Sequence, residues 1–226
     1  MKLIFDIETA GCELSDLSES QQEFILRYPS RETDQSKRTQ LEDDAIRFLS
    51  LYPFTSEIVS IGMLNEGTGN SMVLFRGEDE WENEDKTVKY VGCSEREILT
   101  RFWDYLTKFK GIVTFNGKHF DAPFLMLRSA MLSVKPSMNI VTTKYENTFH
   151  IDLLEEFSYY GNVKKFNLDF YCHSFGITSP KSKGITGMEV KELFRAGKTK
   201  EIAIYNADDI KATFELYKIW KEYLLF

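Results

Sequence analysis

Apolar and polar positions along this chain follow two periods, and their order predicts an alternation of strands and helices. Leu3, Ile4, Phe5 and Ile7 form an apolar ribbon interrupted by Asp6 and Glu8, which predicts a buried strand with both acids on one face. IVSIGMLN at 58–65 and SMVLFRG at 71–77 flank a turn containing Gly and Asn, the pattern of a hairpin. Ser94 to Phe109 has helical spacing and opens with Ser94 and Glu97, a capping box. GIVTF at 111–115 predicts a strand, Asn116-Gly117 a turn, and DAPFLMLRSAML a helix with Asp121 at its N-cap and Pro123 in its first turn. A strand is expected near 149–153. The last long pattern, roughly Lys200 to Leu224, carries Ile202, Tyr205, Ile210, Phe214, Leu216, Tyr217 and Trp220 at helical intervals. A hairpin followed by alternating strands and helices predicts an α/β fold, a mixed sheet with helices packed on it.

Residues 10–57 break that rhythm. The segment is too long for a simple loop between paired strands, and helical periodicity recurs around Phe24 and Ile25 and around Leu41, Ile46 and Leu49. A helical insertion after the first strand is therefore expected. Its acids Glu42, Asp43 and Asp44 read as a solvated helix face.

Length and composition narrow the class. The chain has 226 residues, enough for one sizeable α/β core, with no apolar run near the roughly 20 residues that span a bilayer. It enters a strand at once and places an acid at position 6, unlike a secretory signal. Cys12, Cys93 and Cys172 are odd in number and widely spaced, which indicates neither a disulfide framework nor a cysteine zinc site and fits a reducing cytoplasm. The formal net charge is −7, unfavourable for binding phosphate overall. From Gly161 to Lys200, however, eight basic residues face three acids, a local +5. That segment either lines a groove or carries ordinary solvated charges.

Candidate chemistry lies in carboxylates. Asp6 and Glu8 share one face of a strand, Asp121 opens a helix, and Tyr205 and Asp209 stand at i and i+4 on one helix face. Each has an ordinary explanation alone: an edge charge, an N-cap, a core aromatic with a satisfied hydroxyl. Bare carboxylates are nevertheless costly to crowd together without cations, and hard divalent cations prefer oxygen ligands. His119 and His150 read as a turn residue and a strand-end hydrogen-bonding group, and Asp152 as a helix cap or structural acid.

FDIET, FNGKHFDAPFL and YNADDI, in that order, resemble the three exonuclease motifs of the DEDD superfamily of 3′-5′ exonucleases. The Tyr-x-x-x-Asp spacing resembles the DEDDy branch; the histidine branch would have His where Ile204 stands. HIDLLEEFSYY, KFNLDFYCHSFGI, PKSKGITGMEV and YNADDIKATFELY look like a predicted exonuclease family related to the proofreading domain of family-B DNA polymerases. The resemblance covers the first nine residues and most of the chain from Ile58 onward. It implies a ribonuclease H-like mixed five-stranded sheet flanked by helices, with residues 1–226 as a single exonuclease domain.

The resemblance further implies 3′-5′ hydrolysis of single-stranded ends, DNA in preference to RNA, with Tyr205 orienting the attacking water. Asp6, Glu8, Asp121 and Asp209 suit two Mg²⁺ or Mn²⁺ ions. Ile7, Thr9, Asn116 and Phe120 are expected to contact the terminal nucleotides, with ordinary core the other reading of Phe120; Lys183 and Gly187 either approach the phosphate backbone or belong to a simple flexible turn. An exoribonuclease and a non-catalytic nucleic-acid-binding scaffold remain the alternatives.

Overall fold

The computed structural model describes residues 1–179 and 189–225. A mixed sheet of seven strands runs through the molecule with helices on both faces. Its strands are β1 (Leu3–Gly11), β2 (Ser56–Asn65), β3 (Ser71–Arg76), β4 (Glu80–Glu82), β5 (Val88–Cys93), β6 (Ile112–Thr114) and β7 (His150–Asp152), in the spatial order β4-β5-β3-β2-β1-β6-β7. The helices are α1 (Glu19–Leu26), α2 (Gln35–Phe48), α3 (Glu95–Leu106), α4 (Asp121–Met131), α5 (Leu153–Phe157), α6 (Leu168–Ser174), α7 (Val190–Arg195) and α8 (Thr199–Tyr223).

The strand pattern of β1 explains the layering. Leu3, Phe5 and Ile7 point to one side and pack with Ile98, Phe102 and Trp103 of α3 and Phe124 of α4. Ile4 points to the other side and joins a second core with Ile210, Leu216 and Trp220 of α8. By the same alternation Asp6 and Glu8 face α8. In the middle of the sheet both faces are covered by apolar side chains, so acids on the α8 side cannot be an accident of solvent exposure.

β1 and β2 are antiparallel, with Asp6 opposite Gly62 and Glu8 opposite Ser60; Thr9 then pairs with Ile58. Val59 is therefore the extra residue of a β-bulge beside Glu8. Bulges of this kind bend a strand and re-aim its neighbours. Gly62 matters here because a Cβ would lie 2.9 Å from both the Asn206 Oδ1 and the Ile210 Cγ2 of α8. Only a bare backbone lets α8 settle this close.

The expectation of five strands is corrected to seven. β4 and β5 arise from EDEWENEDKTVKYVGC, where acids conceal two short strands. Their pairing becomes intelligible in three dimensions: Trp81 stacks on its register partner Tyr90 at 4.5 Å, while Glu80 and Lys89 pair at 2.6 Å. A short, charged outer strand also blunts the sheet edge.

The expected insertion between β1 and β2 contains α1 and α2. On α2, Glu42 pairs with Arg38 at 2.8 Å and Asp44 with Arg47 at 2.7 Å, as a solvated helix face requires. The segment's end is fastened by Arg128, which donates to the Pro53 carbonyl at 3.1 Å and pairs with the buried Glu95 at 2.7 Å. Among the described residues no helix is long and apolar enough to cross a membrane, and all three cysteines are free thiols.

His150 is fully buried at the start of β7, 2.8 Å from the Thr114 hydroxyl through Nε2 and 3.3 Å from the Ile140 carbonyl through Nδ1. A neutral ring suits both contacts, donating at Nδ1 and accepting at Nε2. Burial, with Lys118 nearby, pushes its pKa down to about 4. A lowered folded pKa stabilises the fold above the unfolded value, near 6.5, and that contribution is lost as pH falls toward about 4. The loss amounts to about 3 kcal/mol, and urea unfolding between those pH values should be flatter in His150→Gln than in the wild type.

Candidate active site

The second sequence motif is built as a tight loop. Asn116 adopts a left-handed conformation at φ 67°, which asparagine tolerates, and a Cβ on Gly117 would collide with Thr114 at 2.4 Å. Asp152 holds this loop in place: its carboxylate accepts from the Asn116 amide at 2.8 Å, the Lys118 amide at 3.0 Å and the Leu154 amide at 3.0 Å. It thus caps α5, as the sequence suggested, and also ties β7 to the loop. His119 lies 2.8 Å from the buried Glu155.

Asp121 is the first residue of α4 and not its N-cap, a position that falls to Phe120. Loop carbonyls already serve the first turn, with the Ala122 amide donating to Gly117 and the Phe120 amide to Asn116. The Asp121 carboxylate is therefore free to cross to β1, where it accepts from the Ile7 amide at 3.0 Å. It ends 2 % exposed between the first and second motifs.

From the opposite side α8 supplies Tyr205 and Asp209, one turn apart and both buried. Carboxylate oxygens of Asp6, Glu8 and Asp209 come within 4.8 Å of one another, a group able to hold a metal ion. Asp121, Tyr205, Asn116 and Phe120 line the same pocket. All five residues singled out for chemistry are thus brought to one place, although they come from three distant stretches of chain.

Crowding shapes the protonation of the pocket. Burial lifts Asp6 well above the usual carboxylate range, and the charges of Asp121, Glu8 and Asp209 lift it further, against a hydrogen bond from Asn206. Glu8 is raised by burial and then by the charge and hydrogen bond of Asp209. Burial takes Asp121 up to about 7, opposed by its own amide and that of Ile7. Burial, followed by the neighbouring acids, pushes Tyr205 far above the normal tyrosine range, and its hydroxyl donates to Asp209. Oxygen-only donors in a buried, mutually repelling group suit a hard divalent cation.

The flanking contacts are mixed. Ile7 reaches the pocket, but its side chain packs in the core. Thr9 stands outside, buried and donating its hydroxyl to the Ser50 carbonyl at 2.6 Å. Lys183 and Gly187 lie outside the described residues. Among its described residues the basic stretch is largely neutralised: Lys165 pairs with Glu155, Lys191 and Arg195 with Glu13, Lys198 with Glu201, and Lys200 with Asp79. Phe115, Asn167, Leu168 and Asp169 line the pocket although the sequence reading assigned them no role. The usable signal was Asn167, whose side chain caps α6 by accepting from the Phe170 amide at 2.9 Å and so aims that helix's start at the site.

Comparison with known proteins places this geometry in context. The chain is 26% identical over 188 residues to DNA polymerase 1 of Sulfurisphaera ohwakuensis, covering 74% of this chain and 21% of that protein. It is 29% identical over 153 residues to a DNA polymerase of Pyrococcus glycovorans, covering 60% of this chain and 19% of the relative. It therefore spans about a fifth of the length of these curated relatives. The family B DNA polymerase structure from Pyrobaculum calidifontis superposes with a TM-score of 0.61 at 18% identity, over 97% of this chain and 24% of that one, a likeness of fold. Residues 56–223, which include Asp121, Tyr205 and Asp209, match a family model described as a predicted 3′-5′ exonuclease related to the exonuclease domain of PolB. With three quarters of the chain matched and the sheet and helices arranged as in a polymerase of that kind, the chain belongs to this family of predicted exonucleases.

Proposed function

We propose that this chain is a DEDDy-type, metal-dependent 3′-5′ exonuclease that removes nucleotides from single-stranded DNA. The observation that carries the reading is the convergence of Asp6, Glu8 and Asp209 within 4.8 Å, with Asp121 and Tyr205 in the same pocket. A pure binding module has little use for a buried negative pocket, which repels phosphate unless cations neutralise it. The seven-stranded mixed sheet is, on this reading, the ribonuclease H-like form, and residues 1–226 act as one exonuclease unit with a helical insertion at about 10–57.

Asp6, Glu8, Asp121 and Asp209 would hold two Mg²⁺ or Mn²⁺ ions. When bound, such ions acidify a water molecule and stabilise the charge of the phosphoryl transition state. The chain's own part is to position. The four acids bring opposite charge to one point, with the Asp121 carboxylate braced by the Ile7 amide. Tyr205 stays protonated, with its hydrogen given to Asp209, and orients the attacking water by hydrogen bonding through its hydroxyl oxygen, not as a base. Phe120 offers an apolar ring at the pocket wall for a terminal base, and Asn116 a polar group beside it. DNA is preferred to RNA because the relatives are DNA polymerases.

Oligonucleotides labelled at the 3′ or the 5′ end test this directly, as DNA and as RNA, with Mn²⁺, Mg²⁺ or EDTA. Stepwise shortening from the 3′ end of DNA, abolished by EDTA, is the expected result. Faster shortening of RNA would move the substrate to the exoribonuclease alternative, and binding without cleavage under every metal condition would leave only a scaffold.

A further inference from the structure

Asn206 lies one residue after Tyr205 on α8, is fully buried, and had no part in the motif as read from the sequence. Its Nδ2 donates to Asp6 Oδ2 at 2.8 Å and lies 3.5 Å from the Asp6 carbonyl oxygen. Its Oδ1 accepts from the Ser60 hydroxyl at 2.9 Å, and Ser60 is also fully buried. We propose that Asn206 is a positioning residue, set by Ser60, that fixes the Asp6 carboxylate for cation binding; the inference rests on reading the pocket as a metal site.

The chemistry of the amide decides its orientation. The cation-binding form of Asp6 is the ionised carboxylate, which only accepts hydrogen bonds, so in that form the NH₂ group must face Asp6 and the oxygen Ser60, the orientation the structure has. Ser60 can then satisfy that oxygen only by donating. The relay Ser60 to Asn206 to Asp6 therefore has one direction and locks the amide against a flip. Room for it comes from Gly62, the register partner of Asp6, where a Cβ would stand 2.9 Å from the Asn206 oxygen. With Oδ2 tethered, the Asp6 carboxylate is restrained from turning about its last side-chain bond. A ligand held in one orientation binds a cation without first losing that freedom.

The relay also crosses layers. β1 supplies the carboxylate, β2 the hydroxyl and the gap, and α8 the amide, so the distance between Asp6 and Asp209 is set by a hydrogen bond and not by packing alone. Support of this kind for a metal ligand typically accounts for about 10- to 100-fold in affinity or activity.

Isothermal titration with Mn²⁺ alone, on wild type, Asn206→Ala and Ser60→Ala, tests the inference. Asn206→Ala should bind Mn²⁺ about 10- to 100-fold more weakly. Its kcat on a DNA oligonucleotide should fall with KM unchanged, and should recover as Mn²⁺ is raised. Ser60→Ala should show the same effects in smaller measure, since the amide then keeps its donor but loses its lock. A residue that merely fills space would lower the unfolding temperature and leave the Mn²⁺ isotherm of the folded protein alone. Wild-type isotherms in folded Asn206→Ala overturn the inference, and if that variant does not fold, a wild-type isotherm in Ser60→Ala does so. Wild type that binds no Mn²⁺ overturns the metal-site reading as well, whereas wild type that binds while both variants match it sinks only the role of Asn206.

Discussion

Asp6→Asn is expected to slow 3′-end cleavage by at least about 10³-fold, equivalent to about 4 kcal/mol of transition-state stabilisation, while making the metal-free protein more stable. The two effects have one cause. Asp6 is held among Glu8, Asp121 and Asp209, whose charges add to the effect of burial and raise its pKa well above the usual range. A carboxyl whose folded pKa is raised contributes stability below its unfolded value, near 3.8, and loses that contribution as pH rises through the folded value. The metal-free wild type should therefore unfold at a lower temperature at about pH 8 than at about pH 5, through these acids. Asparagine has nearly the same shape, still accepts from Asn206, and carries no charge to repel its neighbours. Its unfolding temperature in EDTA should exceed that of wild type most clearly at the higher pH. Mn²⁺ should then raise the wild-type temperature strongly and the variant's weakly, because cation binding displaces protons from raised carboxyls and so strengthens as pH rises. Thermal scans across this pH range, with EDTA or Mn²⁺, give the comparison. Equal scans for both proteins in both conditions would mean that the acids do not act as one cation site.

Tyr205→Phe should lower kcat by about 10²-fold, with Mn²⁺ affinity and KM for the oligonucleotide held within about twofold of wild type. The hydroxyl donates to Asp209, and burial beside the acids keeps it protonated far above neutral pH. On the proposed reading it orients water through its oxygen and takes no proton from it. Tyr205 should accordingly add no limb of its own to the pH dependence of kcat. The phenyl ring that remains still fills the buried space under α8, so the fold should survive the change. Single-turnover rates and Mn²⁺ titration separate the possibilities. A variant with wild-type kcat would return Tyr205 to the simpler standing of a core aromatic, and one with weakened Mn²⁺ binding would make it a support for Asp209.

Much of this architecture is carried by local pattern. The apolar run around Asp6 and Glu8 needs only the period of a strand to put both acids on one face, and Tyr205 and Asp209 need only the period of a helix. Ser94 and Glu97 form the capping box their spacing announces, and Asp152 caps α5 as its place before LLEEF suggests. β4 and β5 escaped because six acids between Glu78 and Asp85 outweigh the few apolar residues, and the stacking of Trp81 on Tyr90 exists only after the strands pair. Asp121 was misplaced by one residue because a favourable capping residue in sequence is also a free carboxylate in space.

By itself, then, the sequence determined which residue types the chemistry could draw on and which face of its own strand or helix each would occupy, since those depend on neighbours a few positions away. Only the tertiary structure decided that the faces meet. The Asp121 carboxylate reaches an amide 114 residues earlier, and Asn206 reaches a carboxylate 200 residues earlier. Hydrogen bonds over such separations depend on sheet order, on a bulge at Val59 and on the missing side chain of Gly62. No local periodicity encodes them, because their free energy is gained only when the whole sheet and α8 have come together.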